Sequence, residues 1–570
     1  MIRKTGFCLL VAALLAGCIA NSSFSGAGDS GGDNGAPPPN HGITVTPAKA
    51  TVAAGATQQF SADNDNVTWQ VDDVVGGNAN LGTISAKGLY TAPALPPGGS
   101  VTITAVSQAD ASKSGSASAT VQYSNASFSG GYVFSWHGTT SGGPVAVIGH
   151  LKADGNGGIS TAVEDVNAPD GVRLDVPVDG SYKVAADGTA QAVFNSALGS
   201  ADLRFIIGAD GGAQVIRVDA GESAVGEFMP QTDTAVQSLS GDYVFALDGP
   251  DERGSQATLV GKLTAKDDGT IDTGILDRND AGTIALAVAV TGAYDFAGDN
   301  GHGSLTLTSA LGTSHYTFYA VSADDIRLLR VDASEPLTGQ MLVQADQTFS
   351  DSDLSGDFVF DLFGGDGINP VATAGRFSAD GSGNIDDAIY DRSGGISIEP
   401  AVAFTGAYSV DDSGRGTASF ITGGGRTDLV FYLQSPDHAL VMEADNASIR
   451  DGEFIARTNS DFSEATLDGA YTLASADGAN PAVGGISFDG DGNVDDGVEI
   501  RSGASQAVAL DGHYTLDADH GGRGELALAT EGGGQESYVM YVIGPARVVL
   551  LGQGPGALPF GWLRQQHAAQ

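Results

Sequence analysis

Most of the chain consists of short stretches in which apolar and polar residues alternate, separated by turns rich in Gly, Asp and Asn. Alternation with a period of two residues is typical of a β-strand that buries one face. Beyond the first 20 residues, no long stretch has the three- and four-residue apolar spacing of an amphipathic helix. The pattern therefore predicts an all-β protein.

One opening pattern, an aromatic residue two positions after a glycine, occurs four times along the chain. Its aromatic residue is Tyr132 in the first copy and Tyr243, Phe358 and Tyr471 in the later ones. Regular self-similarity of this kind indicates tandem units, here of roughly a hundred residues each. Each copy also closes on a glycine, at Gly226, Gly339, Gly452 and Gly561.

A second pattern inside each repeat is the run TGAYSVDDSGRGTASF, from Thr405 to Phe420. Its glycines and its arginine suggest a phosphate-binding loop. Such a loop needs a strand-to-helix transition and a lysine, and neither is present. Gly-x-Tyr, an Asp- and Gly-rich turn and alternating apolar residues return in every repeat, whereas Arg415 has an equivalent only in Arg523. We therefore predict a β-hairpin.

Each repeat has room for about eight strands. Short turns between consecutive strands give an antiparallel meander, and closing that meander removes its exposed edges. We therefore expect four small eight-stranded up-and-down barrels, with open sandwiches as the alternative. In the second copy the expected strands are Asp242–Leu247, Ala257–Ala265, Gly274–Asp277, Ala285–Phe296, Gly303–Thr308, Tyr316–Val321, Ile326–Val331 and Gly339–Val343.

The second copy also indicates what fills a barrel. Small residues alternate from Ala285 to Val290, and they would leave a cavity if they all faced inward. The copy has enough aromatic bulk to fill a small barrel without them. We therefore expect filled cores and separately folded units, the filling residues being Tyr243, Phe245, Tyr294, Phe296, Tyr316, Phe318 and Tyr319.

Length and charge limit the classes of function. A chain of 570 residues is too long for one core, and 41% hydrophobic against 17% charged residues is a globular composition. With 26 basic and 69 acidic residues the net charge is -43. A nucleic-acid-binding protein needs a basic surface, so nucleic acid is not an expected partner.

The first residues have the layout of a secretory signal. Arg3 and Lys4 precede an apolar run from Phe7 to Ala16, which is too short to span a bilayer. The four residues Leu15-Ala16-Gly17-Cys18 resemble a bacterial lipobox. The resemblance implies that residues 1–17 are removed and that Cys18 is lipidated. Ile19, in place of an aspartate, implies the outer membrane or cell surface.

Residues 18–42 read as a flexible tether of Gly, Ser, Asn, Asp and Pro. Residues 43–122 are similar to a bacterial immunoglobulin-like domain, and the similarity rests on Pro47, Trp69, the run Gly88–Pro93 and the strand Val101–Ala105. It implies a β-sandwich with Trp69 packed between the sheets. The repeats then occupy residues 127–231, 238–344, 353–457 and 466–566.

The last repeat carries the one candidate metal loop. Asp489, Asp491, Asn493 and Asp495 offer oxygen atoms at alternate positions, as in a calcium loop of the EF-hand type. The glycine and the final glutamate of that loop are missing, because Val494 and Ile500 stand there. A tight hairpin is the alternative, and calcium is the only cofactor for which the sequence gives any indication.

No catalytic motif recurs in the repeats. The histidines show no His-Glu-x-x-His or paired metal spacing, so we expect no enzyme activity. The sequence favours a lipoprotein anchored to the membrane through its N-terminal lipid, with a structural or adhesive role. Its expected partners are extracellular glycans or surface proteins. A carbohydrate- or small-ligand-binding module is the first alternative and a cell-surface hydrolase the second.

Overall fold

The computed structural model describes residues 42–567 except 234–235, 251–254, 299, 333–334, 366–369, 395–396, 446–447, 459–460, 476–480, 505–506, 518–520 and 555–559. The expected signal peptide, Cys18 and all of the tether except residue 42 lie outside the described residues. The described part contains strands and three short 3-10 helices, Asn125–Ser127, Asp351–Asp353 and Glu464–Thr466. None of its helices has the length and apolar character needed to cross a membrane.

The first described region consists of small sheets. Its strands are β1 (Val45–Thr46), β2 (Lys49–Ala53), β3 (Thr57–Gln59), β4 (Ser61–Ala62), β5 (Val67–Val71), β6 (Val74–Val75), β7 (Gly77–Asn78), β8 (Gly82–Ile84), β9 (Leu89–Thr91), β10 (Val101–Ser107) and β11 (Ser114–Gln122). One sheet has the order β2-β11-β10-β5-β6 and another β3-β9-β8-β7, while β1 pairs with β4. Trp69, Phe60 and Tyr90 are buried in a core that the two larger sheets share.

Four closed eight-stranded antiparallel barrels follow in tandem. Barrel 1 comprises β12 (Ser129–Thr140), β13 (Gly143–Asp154), β14 (Gly158–Ala168), β15 (Gly171–Val184), β16 (Thr189–Ser196), β17 (Gly199–Ile207), β18 (Ala213–Arg217) and β19 (Ser223–Pro230). Barrel 2 comprises β20 (Gly241–Pro250), β21 (Gln256–Ala265), β22 (Thr270–Asp280), β23 (Thr283–Phe296), β24 (His302–Ser309), β25 (Gly312–Ala320), β26 (Asp325–Arg330) and β27 (Thr338–Val343).

Barrel 3 comprises β28 (Ser355–Gly365), β29 (Pro370–Asp380), β30 (Asn384–Gly394), β31 (Ser397–Val410), β32 (Arg415–Thr422), β33 (Gly425–Ser435), β34 (His438–Glu443) and β35 (Ile449–Ala456). Barrel 4 comprises β36 (Asp468–Ser475), β37 (Ala482–Asp489), β38 (Asn493–Arg501), β39 (Val508–Asp517), β40 (Arg523–Thr530), β41 (Gln535–Gly544), β42 (Arg547–Gly552) and β43 (Phe560–Gln565). In each barrel the first strand pairs with the last.

These pairings confirm the predicted barrels, and the open-sandwich alternative is wrong. The run from Thr405 to Phe420 forms the hairpin of β31 and β32, as predicted. The prediction for the second copy gave too short a third strand, because Gly274–Asp277 is only the middle of β22. The register of β22 shifts against β21 and β23, and such bulges break the strict alternation on which strand ends are predicted.

Aromatic side chains fill the barrel interiors, as the second barrel illustrates. Tyr243, Phe245 and Phe318 are buried in its core. Of the residues from Ala285 to Val290, Val288 and Val290 contact that core. The others do not face it, so they do not open a cavity. The expectation for Tyr319 is wrong: Phe318 faces inward, and the next residue of a strand must face outward.

The repeated Gly-x-Tyr pattern holds the entry of each barrel in place. The tyrosine lies on the fourth strand, and its hydroxyl donates a hydrogen bond to a backbone carbonyl just before the first strand. The bonds are Tyr182 to Phe128 at 2.6 Å, Tyr294 to Leu239 at 2.8 Å, Tyr408 to Leu354 at 2.7 Å and Tyr514 to Leu467 at 2.9 Å. The tyrosine recurs because a phenylalanine would leave this buried carbonyl without that donor.

The closing glycines allow the first and last strands to meet. A Cβ atom at Gly226 or Gly339 would lie 1.9 Å from a backbone oxygen of the first strand, and one at Gly452 would lie 2.0 Å from it. A side chain at these positions would force the two strands apart. Barrel closure therefore requires glycine here.

The four barrels pack in a cyclic order, although the sequence led us to expect separate units. Val133 and Ile148 of barrel 1 pack with Tyr319 of barrel 2 in one buried cluster. Similar clusters join barrel 2 to barrel 3 and barrel 3 to barrel 4. A fourth cluster joins barrel 4 back to barrel 1 through Ile500 and Ile206. The tandem repeats thus form a closed ring.

Candidate functional site: the axial cavity and the seams of the ring

A cavity of about 290 Å³ lies where the four barrels meet, and all four contribute to its wall. One equivalent residue from each barrel lines it, in each case the residue that directly follows the closing glycine. These residues are Glu227, Gln340, Glu453 and Trp562. The motif that closes each barrel therefore also delivers one side chain to the axis of the ring.

Glu453 is the centre of an ionic network in this cavity. Its Oε2 lies 3.0 Å from Nη2 of Arg547 in barrel 4, and its Oε1 accepts a hydrogen bond of 3.2 Å from Gln340 of barrel 2. Burial opposes ionisation, but the charges of Arg547 and His438 hold the pKa of Glu453 well below its usual range. Glu453 is therefore ionised and joins three barrels.

The neighbouring carboxyl groups have the opposite shift. Burial, and then the charge of Glu453, raises the pKa of Asp361 to about 7. Burial, with Asp248 and Asp361 nearby, raises the pKa of Asp451 well above its usual range. Arg327 of barrel 2 lies 3.3 Å from Glu227 of barrel 1, so a second ion pair between barrels lines the same cavity.

Carboxyl groups with opposite pKa shifts are what an acid–base pair requires. Here, however, Glu453 is already paired with Arg547, and its own backbone N–H donates to Asp361 Oδ1 at 3.1 Å. Ion networks that hold domains together perturb pKa values in the same way. Contact between the barrels is therefore enough to account for these pKa shifts, and a catalytic role is not needed to explain them.

The raised pKa of Asp361 gives the ring a definite pH dependence. The side chain is 5% exposed, and its ordinary pKa is 3.8 against about 7 in the folded chain. Its contribution to stability is therefore fully present below about pH 4 and is lost as the pH rises to 7, with one pK unit corresponding to about 1.4 kcal/mol. We expect Asp361→Asn to raise the melting temperature at pH 8 and to flatten its dependence between pH 4 and 7. An unchanged pH profile would contradict this assignment.

Buried aspartates form the contacts, or seams, between consecutive barrels. Asp277 of barrel 2 accepts a hydrogen bond of 2.7 Å from the backbone N–H of Ala287 in its own barrel. It also accepts one of 2.6 Å from the Tyr432 hydroxyl of barrel 3. The guanidinium of Arg415 contacts both carboxylate oxygens, at 2.9 and 2.7 Å. One aspartate thus fixes a bulge in its own barrel and holds the next barrel.

The seam between barrels 3 and 4 repeats this arrangement. Asp391 accepts from the backbone N–H of Ala401 at 3.0 Å and from the hydroxyl of Tyr541. Arg523 contacts both of its oxygens at 2.9 Å. Both aspartates are fully buried, and each is the eighth residue of its strand. Equivalent positions in the repeats therefore carry the same contact.

The seam that closes the ring, between barrels 4 and 1, has an apolar cluster in place of the aspartate, together with the Ser502 hydroxyl, which lies 3.1 Å from the Arg217 carbonyl oxygen. The eighth residue of β38 is Ile500, where the other barrels have aspartate. It packs with Ile206 of barrel 1. Ile206 pairs with Thr189 on the neighbouring strand, and these two residues occupy the positions of Tyr432 and Arg415 in barrel 3. The end of the chain adds to this seam, since Gln566 donates to the Asp187 carbonyl at 2.9 Å.

The aspartate seam can be tested at Arg415. Arg415→Met leaves the carboxylate of Asp277 buried without its cation, which costs about 3 kcal/mol of unfolding free energy. Arg426→Met in the same barrel is the matched control. It removes an exposed ion pair with Asp428 and should cost about 0.5 kcal/mol or less. Urea denaturation followed by circular dichroism measures both, and equal effects would count against the seam.

The structure places the predicted calcium residues around the turn between β37 and β38: Asp489 ends β37, Asp491 lies in the turn, and Asn493 and Asp495 belong to β38. Asp489 Oδ1 accepts from the backbone N–H groups of Asp491 at 2.8 Å and Asn493 at 2.9 Å. Its Oδ2 accepts from the Asn493 side chain at 2.6 Å, and these bonds lower the pKa of Asp489. Asp495 is exposed on β38. The bonds make the turn a stable hairpin, and calcium binding stays a prediction.

The seam residues were not predicted from the sequence. Arg415 and Arg523 were recognised as equivalent, but only as candidates for a phosphate site. The available signal was an aspartate at the same position in three of four repeats, Asp165, Asp277 and Asp391, together with a basic residue one repeat later. Cys18, the predicted lipidation site, lies outside the described residues.

Comparisons of the chain with known protein families and with curated proteins find no match.

Proposed function

We propose that the protein is a lipid-anchored scaffold on the outer membrane or cell surface of a bacterium, with a structural or adhesive role. The observation that carries the proposal is the ring of four filled barrels joined by buried seams. A barrel whose interior is occupied by its own side chains supports other contacts through its surface. Glycans or surface proteins are the partners that suit such a surface.

The lipobox-like run before Cys18 supports anchoring through the N-terminal lipid, because several acyl chains hold a protein at a membrane more firmly than one. Residues 18–42 would separate the anchor from the folded part. In this proposal the membrane attachment and the fold are independent, so either can be removed without the other.

A second candidate function is the binding of a small ligand. The axial cavity of about 290 Å³ favours it, because carboxyl groups, arginines and Trp562 converge there from different barrels. Cavities at the junction of several domains are common ligand sites. The barrel interiors do not support this candidate, since aromatic residues occupy them.

The anchor can be tested with the two cysteines of the chain. Cys18→Ser should abolish metabolic labelling with a fatty acid and release a folded protein from the membrane fraction. Cys8→Ser is the matched control, because Cys8 lies in the segment expected to be removed, and it should leave the labelling unchanged. Fatty-acid label on the Cys18→Ser protein would refute the proposed anchor.

A further inference from the structure

The seam between barrels 1 and 2 differs from the two other aspartate seams at three positions, those of Asp175, His302 and Thr317. Asp165 is buried like its equivalents, and its Oδ1 accepts from the backbone N–H of Asp175 at 2.6 Å. Where those seams have an arginine, this one has His302, the first residue of β24. Where they have an alanine at the bulge, it has Asp175, with the same left-handed φ of 54° against 52° at Ala287. Both changes introduce a metal-ligating side chain.

The two new side chains and Asp165 converge. Nε2 of His302 lies 3.1 Å from Asp165 Oδ2 and 2.9 Å from Thr317 Oγ1, whereas Nδ1 lies 3.3 Å from Asp175 Oδ1. The two carboxylates thus approach different nitrogens of the ring, and a metal ion would bind one of these nitrogens in place of its present contact. The ligating atoms of the three residues all lie within 4.8 Å of one another. Asp165 and His302 are buried, whereas the Asp175 side chain is 70% exposed. The cluster therefore has one side open to solvent, through which an ion can enter.

Tyr319 supplies an independent observation. In the other two seams the equivalent hydroxyls, of Tyr432 and Tyr541, donate to the seam aspartate. The Tyr319 hydroxyl is fully buried and makes no hydrogen bond within 3.5 Å among the described residues, although the Asp165 carboxylate is its nearest polar neighbour. Its ring stacks on that of His302, with centroids 4.5 Å apart and planes 11° apart.

Thr317 is the third difference, because Val430 and Val539 stand at its position in the other two seams. The Thr317 hydroxyl donates to Asp165 Oδ2 at 2.7 Å, on the oxygen that the tyrosine uses in the other seams. A buried hydroxyl without an acceptor is costly. A water molecule bound to a metal ion in this cluster would give Tyr319 that acceptor.

We propose that Asp165, Asp175 and His302 bind a divalent first-row metal ion, of which zinc is the first to test. One imidazole nitrogen and two carboxylate oxygens suit zinc, with a water completing four-coordination. The ion takes the place of the arginine charge of the other seams and joins barrel 1 to barrel 2. Its role is structural, and it involves no reaction.

The alternative is an imidazolium of His302 that bridges the two carboxylates without a metal. The chain offers a matched control for this case. The double variant Asp175→Ala/His302→Arg gives this seam the alanine and the arginine of the seam between barrels 2 and 3, which holds without a metal ligand set, while Thr317 stays in place. This variant should therefore fold and retain the ring while losing the site.

The experiment compares the full-length native chain with the double variant after chelator treatment and addition of zinc chloride. The native chain should retain one zinc ion per molecule after desalting, and zinc should raise its melting temperature. The double variant should retain no zinc ion at this site, and its circular dichroism spectrum should be unchanged. The single variant Asp175→Ala should bind zinc at least tenfold more weakly, because it loses one of three ligands while keeping the fold.

Two results would overturn the proposal. Equal zinc binding by the native chain and the folded double variant would place the metal elsewhere in the molecule. Absence of zinc binding by both would leave the imidazolium bridge as the explanation of the cluster. Calorimetric titration with zinc gives the stoichiometry, and the same titration with calcium separates this site from the Asp489 turn.

Discussion

The ring depends on buried carboxylates that are satisfied from two barrels at once. Asp277 and Asp391 each accept a backbone hydrogen bond within their own barrel and a guanidinium and a phenol from the next. A buried charge is tolerated only when it is paired and hydrogen-bonded. Because two of its three partners belong to the next barrel, each aspartate makes the folded state of one barrel depend on the position of its neighbour.

The seams differ in chemistry according to their place in the chain. Barrels that follow one another are joined through Asp165, Asp277 and Asp391, whereas barrels 4 and 1 meet through Ile500 and Ile206. Directional contacts fix how each barrel lies on the next. Where the last barrel returns to the first, the aspartate is replaced by an apolar cluster, and the hydrogen bonds of Ser502 and Gln566 go to backbone carbonyls. The axial cavity results from this closure.

The barrels could be predicted from the sequence and the ring could not. The period of two, the recurrent Gly-x-Tyr and the closing glycines describe contacts within one repeat, and those contacts have fixed spacing in the chain. Contacts between repeats have no such spacing. Tyr319 illustrates the difference: its aromatic character suggests a core residue, and the strand gives no sign of which core it enters. The positions of Arg415 and Asp277 within their repeats show which residues of the other repeats are their equivalents. They do not show that the two side chains pair with each other.

The closed ring is the central claim, and small-angle X-ray scattering of the chain from Ile43 onward tests it directly. Packing of the four barrels into one body predicts a radius of gyration near the ~24 Å expected for a compact chain of this length. It also predicts a short maximum dimension that does not change between low and moderate salt. A much larger radius, with the elongated distance distribution of four barrels arranged in a row, would contradict the account.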